Sequence, residues 1–206
     1  MKLATDNLFF EWMGRLGDYM LLNFCFLISS LPIVTIGAST AAMYRMIFKM
    51  QEGRAPYVVR SYFACFREEF KKATAGFLCL GLSACVLGFD IWFSARQNGQ
   101  IWIMLGAAAG VLLVFCLFTL SFLFAVQARF ENSFSGTLKN ALLMSLRHLF
   151  CTIPVLVLDL LPVILWFVNV NLLGMLIPLY LVVGFAGIAY VKGLLFAKAF
   201  TPYTVH

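Results

Sequence analysis

Charge is scarce in this sequence. Only 12% of its 206 residues are Asp, Glu, Lys or Arg, against 63% hydrophobic residues, whereas an ordinary soluble domain carries roughly 25% charged residues. Water is therefore excluded as the solvent for most of the chain. Histidine is scarcer still, with His148 and His206 the only two. There is no H-E-x-x-H, no Walker A loop, no G-x-S-x-G and no dinucleotide fingerprint. The arrangements that place a metal, a phosphate or an activated nucleophile are thus missing, and no catalytic residue, cofactor or metal is expected. The six cysteines (Cys25, Cys65, Cys79, Cys85, Cys116, Cys151) include no C-x-x-C pair and lie mainly in apolar stretches. They indicate small buried thiols, not a zinc site or a disulfide framework.

What the sequence has in abundance is long apolar runs. A helix needs about 20 apolar residues to cross the hydrocarbon core, and five runs qualify: about 19–36, 73–95, 101–127, 149–168 and 172–196. The expected fold is all-α: a polytopic integral membrane protein, one domain over 1–206, with about five transmembrane helices. Lys2, Asp6 and Glu11 precede the first run, so no cleavable signal is predicted and the first span is expected to direct insertion. Trp12, Trp92, Trp102 and Trp166 fall near span ends, as an aromatic belt requires.

The net charge of +6 does not point to nucleic acid, because the cations are concentrated between apolar runs. Seven of the fifteen (Arg45, Lys49, Arg54, Arg60, Arg67, Lys71, Lys72) lie between the first and second, and Arg129, Lys139 and Arg147 between the third and fourth. The positive-inside rule puts both segments in the cytoplasm. Five crossings then leave the C-terminus inside and the N-terminus outside; if 38–50 instead dips back through part of the membrane, both ends lie inside. Two cytoplasmic amphipathic helices are expected, about 57–72 and 134–148. In the first, Val59, Phe63, Phe66 and Phe70 share a face, flanked by Arg60, Arg67 and Lys71. That surface suits either the membrane interface or a docking partner. In the second, Ser133 is placed to cap a helix whose Phe134, Leu138, Ala141 and Ser145 share a face.

Polar positions within the runs narrow the search for function. Pro32 and Gly37 end or break the first span, and Ser39 is a plausible N-cap for a following helix. Thr35, Gly37, Ser39 and Thr40 are therefore candidates for a ligand or pathway site at a free helix N-terminus, against a simple exit from the membrane at Pro32. Asp159, the other candidate, lies in the middle of the fourth span, where a charge costs roughly 2.5–3.5 kcal/mol. At 1.5 Å per residue its depth differs from that of Lys192 by roughly 9 Å, so Gln127, Asn169 or a water is the expected partner and Lys192 is expected to snorkel. Gly106, Gly110, Gly184 and Gly187 offer small-residue faces for helix packing in the bundle or in a homo-oligomer.

The run Leu31-Pro32-Ile33-Val34-Thr35-Ile36-Gly37-Ala38-Ser39-Thr40-Ala41-Ala42-Met43-Tyr44, followed by Phe63, Phe66 and Phe70, resembles the YesL family over nearly the whole chain. The resemblance implies a bacterial inner-membrane protein encoded near binding-protein-dependent sugar transporters, and it transfers no catalytic residue. The expected function is a non-catalytic accessory or regulatory membrane protein for carbohydrate uptake, with a sugar transporter complex and the lipid bilayer as partners. The alternatives are a small solute transporter or channel using the first-span break and Asp159, and a lipid-binding or structural membrane protein.

Overall fold

The computed structural model describes residues 4–54 and 57–201, without the side chains of 4–9, 11, 12, 172 and 173. Lys2, His206 and the side chain of Trp12 lie outside the described residues. Among the described residues eight α-helices follow one another: α1 (Ala4–Ser30), α2 (Ile36–Gln51), α3 (Val58–Ser94), α4 (Gln100–Arg129), α5 (Phe134–Arg147), α6 (Leu149–Val168), α7 (Val170–Leu179) and α8 (Phe185–Phe200). A 3-10 turn, Ile33–Thr35, precedes α2, and a π turn, Tyr180–Gly184, joins α7 to α8. There is no strand among the described residues.

Among the described residues four segments are long and apolar enough to cross a bilayer: Val58–Ser94, Gln100–Arg129, Leu149–Val168 and Gly174–Phe200. They correspond to the second to fifth apolar runs. The first run differs from expectation: α1 spans 27 residues but stops at Ser30, and Arg15, Asp18 and Asn23 dilute its hydropathy. Its Tyr19, Asn23 and Phe26 meet Tyr190, Ala186 and Phe185 of α8 in reverse order, so the two helices run antiparallel.

The expected separation between a basic amphipathic helix and the second span is absent. Residues 58–94 form one helix of 37 residues, about 55 Å long at 1.5 Å per residue, well beyond a hydrocarbon core of about 30 Å. A helix lying in the interface plane needs a break before the span, and Phe70-Lys71-Lys72-Ala73 contains neither Pro nor Gly to make one. The second amphipathic segment does form α5, and the Ser133 side chain caps it by accepting from the Gly136 N–H at 3.3 Å. Its buried side is Thr137, Ala141, Met144 and Ser145, turned slightly from the expected face, with Phe134 partly exposed.

At the centre lies α2, ten of whose 16 residues are buried. It packs against α3, α4 and α8 at once, and small side chains make this possible: Ala38, Ala41 and Ala42 are fully buried. The closest approach is at Gly37, where an added Cβ would stand 2.7 Å from the Ala73 carbonyl oxygen and 2.6 Å from the Phe77 Cβ. Two similar approaches occur at Gly76 against Leu123 and at Gly193 against Ile47. Among the expected packing glycines, Gly106 does abut Ser94, but Gly110 and Gly187 have no neighbour within 4 Å of an added Cβ, and Gly184 meets only Tyr180 of its own π turn. The reason is positional, since a small-residue stripe acts only where a second backbone is already close. Gly37→Ala is expected to lower stability by about 1–3 kcal/mol through overpacking, whereas Gly110→Ala, in open space, should be neutral or stabilising. Unfolding in mixed micelles, followed by circular dichroism, distinguishes them.

Candidate functional site

The corner after α1 spends its polar groups on itself. Pro32 adopts an extended conformation, and the Thr35 hydroxyl lies 2.6 Å from the Ser29 carbonyl and 2.7 Å from that of Pro32, closing the turn. Ser39 is not an N-cap: α2 begins three residues earlier, and its hydroxyl donates to the Thr35 carbonyl at 2.9 Å. Thr40 donates to the Ile36 carbonyl at 2.7 Å. The N-terminus of α2 is occupied by the 3-10 turn, whose Ile33 carbonyl accepts from the Ile36 N–H. Thr35, Gly37 and Ser39 therefore build a tight corner, and Thr40 lines a cavity.

That cavity, about 340 Å³, lies between α1, α2, α4, α6 and α8. Its walls are mainly apolar and aromatic, with Phe26, Phe124 and Phe185 among them. Asp159 and Lys192 face each other on it as an ion pair, and Tyr44 lines it beside them. The Lys192 side chain is 7% exposed and that of Asp159 35%. The expected partners of Asp159, Gln127 and Asn169, are thus replaced by the lysine. The depth argument fails because it assumes straight spans. Pro154 and Pro162 interrupt α6, and Pro178 with the π turn precedes α8; such features kink helices. Gln127 instead donates to Glu69 Oε2 at 2.7 Å, whose other oxygen binds Arg45 at 2.8 Å.

Position 23 holds the group that sequence reading missed. A π turn leaves backbone groups without their helical partners, and in hydrocarbon each must be satisfied by protein. Fully buried Asn23 does this from α1: its amide nitrogen donates to the carbonyls of Tyr180 at 3.2 Å and Leu181 at 2.7 Å, and its oxygen accepts from the Ala186 N–H at 3.0 Å. This clamp fixes the π turn, and with it Tyr180, Phe185 and Lys192 along the cavity wall. The available signal was an asparagine in an apolar helix and a proline in another span.

The α3 surface has two stripes. Val58, Tyr62, Cys65, Ala73, Gly76 and Leu80 recur at helical spacing and face the protein. Beside them Phe63 and Phe70 are partly exposed, Phe66 packs against the core, and Arg60, Arg67 and Lys71 are exposed. The neighbouring acids turn to other partners: Glu68 and Glu69 to Arg45, and Glu52 to Arg129 and Arg54. Burial raises the Glu52 pKa, but its hydrogen bonds and charge attraction to the two arginines outweigh this and hold it below the ordinary glutamate value. Among the described residues no group of His, Cys, Asp and Glu is arranged to hold a metal.

Fold and site together define a multi-pass α-helical membrane protein with a partly buried ion pair on an apolar cavity. Residues 19–91 match a protein family described as "Protein of unknown function, DUF624". The match takes in the Pro32 corner, the whole of α2 and nearly all of α3. No curated protein and no solved structure matches the chain.

Proposed function

We propose that this chain is a non-catalytic accessory or regulatory protein of the YesL type, sited in a bacterial inner membrane and partnered with a binding-protein-dependent carbohydrate transporter. In this reading α1 is a fifth crossing, supported by its antiparallel packing on α8 and by exposed Leu21, Phe24 and Ile28, and the C-terminus is cytoplasmic by the positive-inside rule. The observation that carries the reading is the outer stripe of α3. Its cations stand exposed beside Phe63 and Phe70, while the adjacent acids are turned to Arg45. Such a cationic, aromatic face on a helix longer than the bilayer is thick suits a protein contact better than passage of a solute.

Mild solubilisation of native membranes followed by mass spectrometry should recover a transporter component with the chain. Replacing Arg60, Arg67 and Lys71 together by glutamate should abolish that recovery while leaving the protein folded. Isolation of the chain alone at native expression levels would sink the idea.

A second reading, a small solute transporter or channel, is favoured by one feature, the Asp159–Lys192 pair on its cavity. Loss of solute uptake in vesicles carrying Asp159→Asn, with the protein still folded, would support it; unchanged uptake across a broad solute panel would not.

A further inference from the structure

Arg60, Arg67 and Lys71 follow one another along α3 at steps of seven and four residues. At about 100° per residue all three project within about 40° of one another, and Ala64, exposed between them, puts no bulk in the way. None of the three forms an ion pair among the described residues. On one flank stand the exposed rings of Phe63 and Phe70, and on the other Glu68 is held by Arg45. The face is a ladder of three free cations with one apolar edge.

The headgroups of an anionic bilayer do not fit this ladder. At 1.5 Å per residue it runs about 16 Å along the helix axis, and that axis belongs to one unbroken helix, Val58–Ser94, whose later part is apolar enough to cross the membrane. Even at a tilt of about 40° the three cations are spread over about 13 Å of depth, whereas a headgroup layer is about 5–8 Å thick. Lipid can meet the rungs nearest the bilayer and leaves the others bare.

A second helix laid along α3 has no such restriction. Its side chains recur on one face at the same seven- and four-residue steps, so carboxylates at those steps meet the cations one for one. Packed helices lie about 8–10 Å apart, a gap that arginine, lysine and glutamate side chains bridge. The apolar edge adds two anchors seven residues apart, Phe63 and Phe70, the spacing at which a docked helix offers its own apolar residues.

We infer that the outer stripe of α3 docks an acidic amphipathic helix, with Asp or Glu at matching steps on Arg60, Arg67 and Lys71 and its apolar edge on Phe63 and Phe70. The inference rests on the docking role proposed above for this stripe, and not on the identity of the partner.

The full chain, expressed at native levels with photoreactive p-benzoylphenylalanine in place of Ala64, is irradiated in intact cells, and its adducts are sequenced by mass spectrometry. The expected adduct is a protein segment with acids at the matching steps. The same probe in place of Leu78, exposed seven residues beyond Lys71 in the apolar part of α3, should give lipid adducts instead. Arg67→Glu should lower the Ala64 adduct yield roughly fivefold or more, because it removes an exposed ion pair and sets like charges together. Lysine in place of the facing acid on the captured segment should restore the yield in that variant, which also shows that Arg67→Glu folds.

The inference is overturned if the probe at position 64 captures lipid alone, if its protein adducts lack the acidic spacing, or if the charge exchange does not restore the yield. Lipid capture alone, with a transporter still recovered on mild solubilisation, overturns the inference and leaves the partnership standing. Capture of an acidic helix from a protein other than a transporter, with the exchange restoring the yield, does the reverse.

Discussion

Asn23→Leu is expected to be among the most destabilising single substitutions in the chain, costing on the order of 3 kcal/mol or more. Leucine keeps the branched outline of the side chain, but its methyl groups are bulkier, so some overpacking adds to the loss of the hydrogen bonds. Three disappear together, to the Tyr180 and Leu181 carbonyls and the Ala186 N–H, and each orphaned buried group costs roughly 1–3 kcal/mol. Side-chain hydrogen bonds between membrane helices are individually weaker, averaging about 0.6 kcal/mol, because a helix unfolded within lipid still satisfies its own backbone. That discount does not apply fully here, since two of the three groups Asn23 serves lie on a π turn that lacks its regular pairing and the third opens the helix after it. Unfolding of Asn23→Leu in mixed micelles measures the loss, and hydrogen exchange at the Ala186 amide locates it. An Ala186 amide as protected as in wild type would show that the π turn does not depend on this clamp.

The same position shows where sequence reading stops. The apolar runs mark the second to fifth spans because hydropathy in lipid is a one-dimensional signal, and Ser133 marks the start of α5 because capping is local. The continuity of α3 was not legible, since Lys71 and Lys72 look like a boundary although charge does not break a helix. Pro32 gave the location of the corner correctly, but the fate of the Thr35, Ser39 and Thr40 hydroxyls depends on which carbonyls the turn brings near. Asn23 carried no pattern, because its partners are backbone groups freed by a π turn more than 150 residues away. Asp159 stood out by its setting in an apolar run. Lys192, near the inner end of its run, reads instead as a snorkelling cation, and a depth counted along straight helices keeps the two apart.

Their pairing leads to the second large effect. Removing either charge leaves the other on an apolar cavity wall; breaking a fully buried pair costs about 3–5 kcal/mol, which is the ceiling for this partly buried one. The two losses should differ. Lys192 is 7% exposed at its side chain and Asp159 35%, so Asp159→Leu, which strands the more deeply buried charge, should cost more than Lys192→Met, which strands the more exposed one. The double variant, Asp159→Leu with Lys192→Met, removes both charges and both desolvation penalties, and should return to within about 1 kcal/mol of wild type or exceed it. A double-mutant cycle by denaturant unfolding in mixed micelles reads the coupling directly. Additive single and double effects would mean that the ion pair does not hold α6 to α8. Strong coupling with a stable double variant would instead show that the pair is dispensable for the fold, and that the chain keeps two charges on its cavity for what they bind.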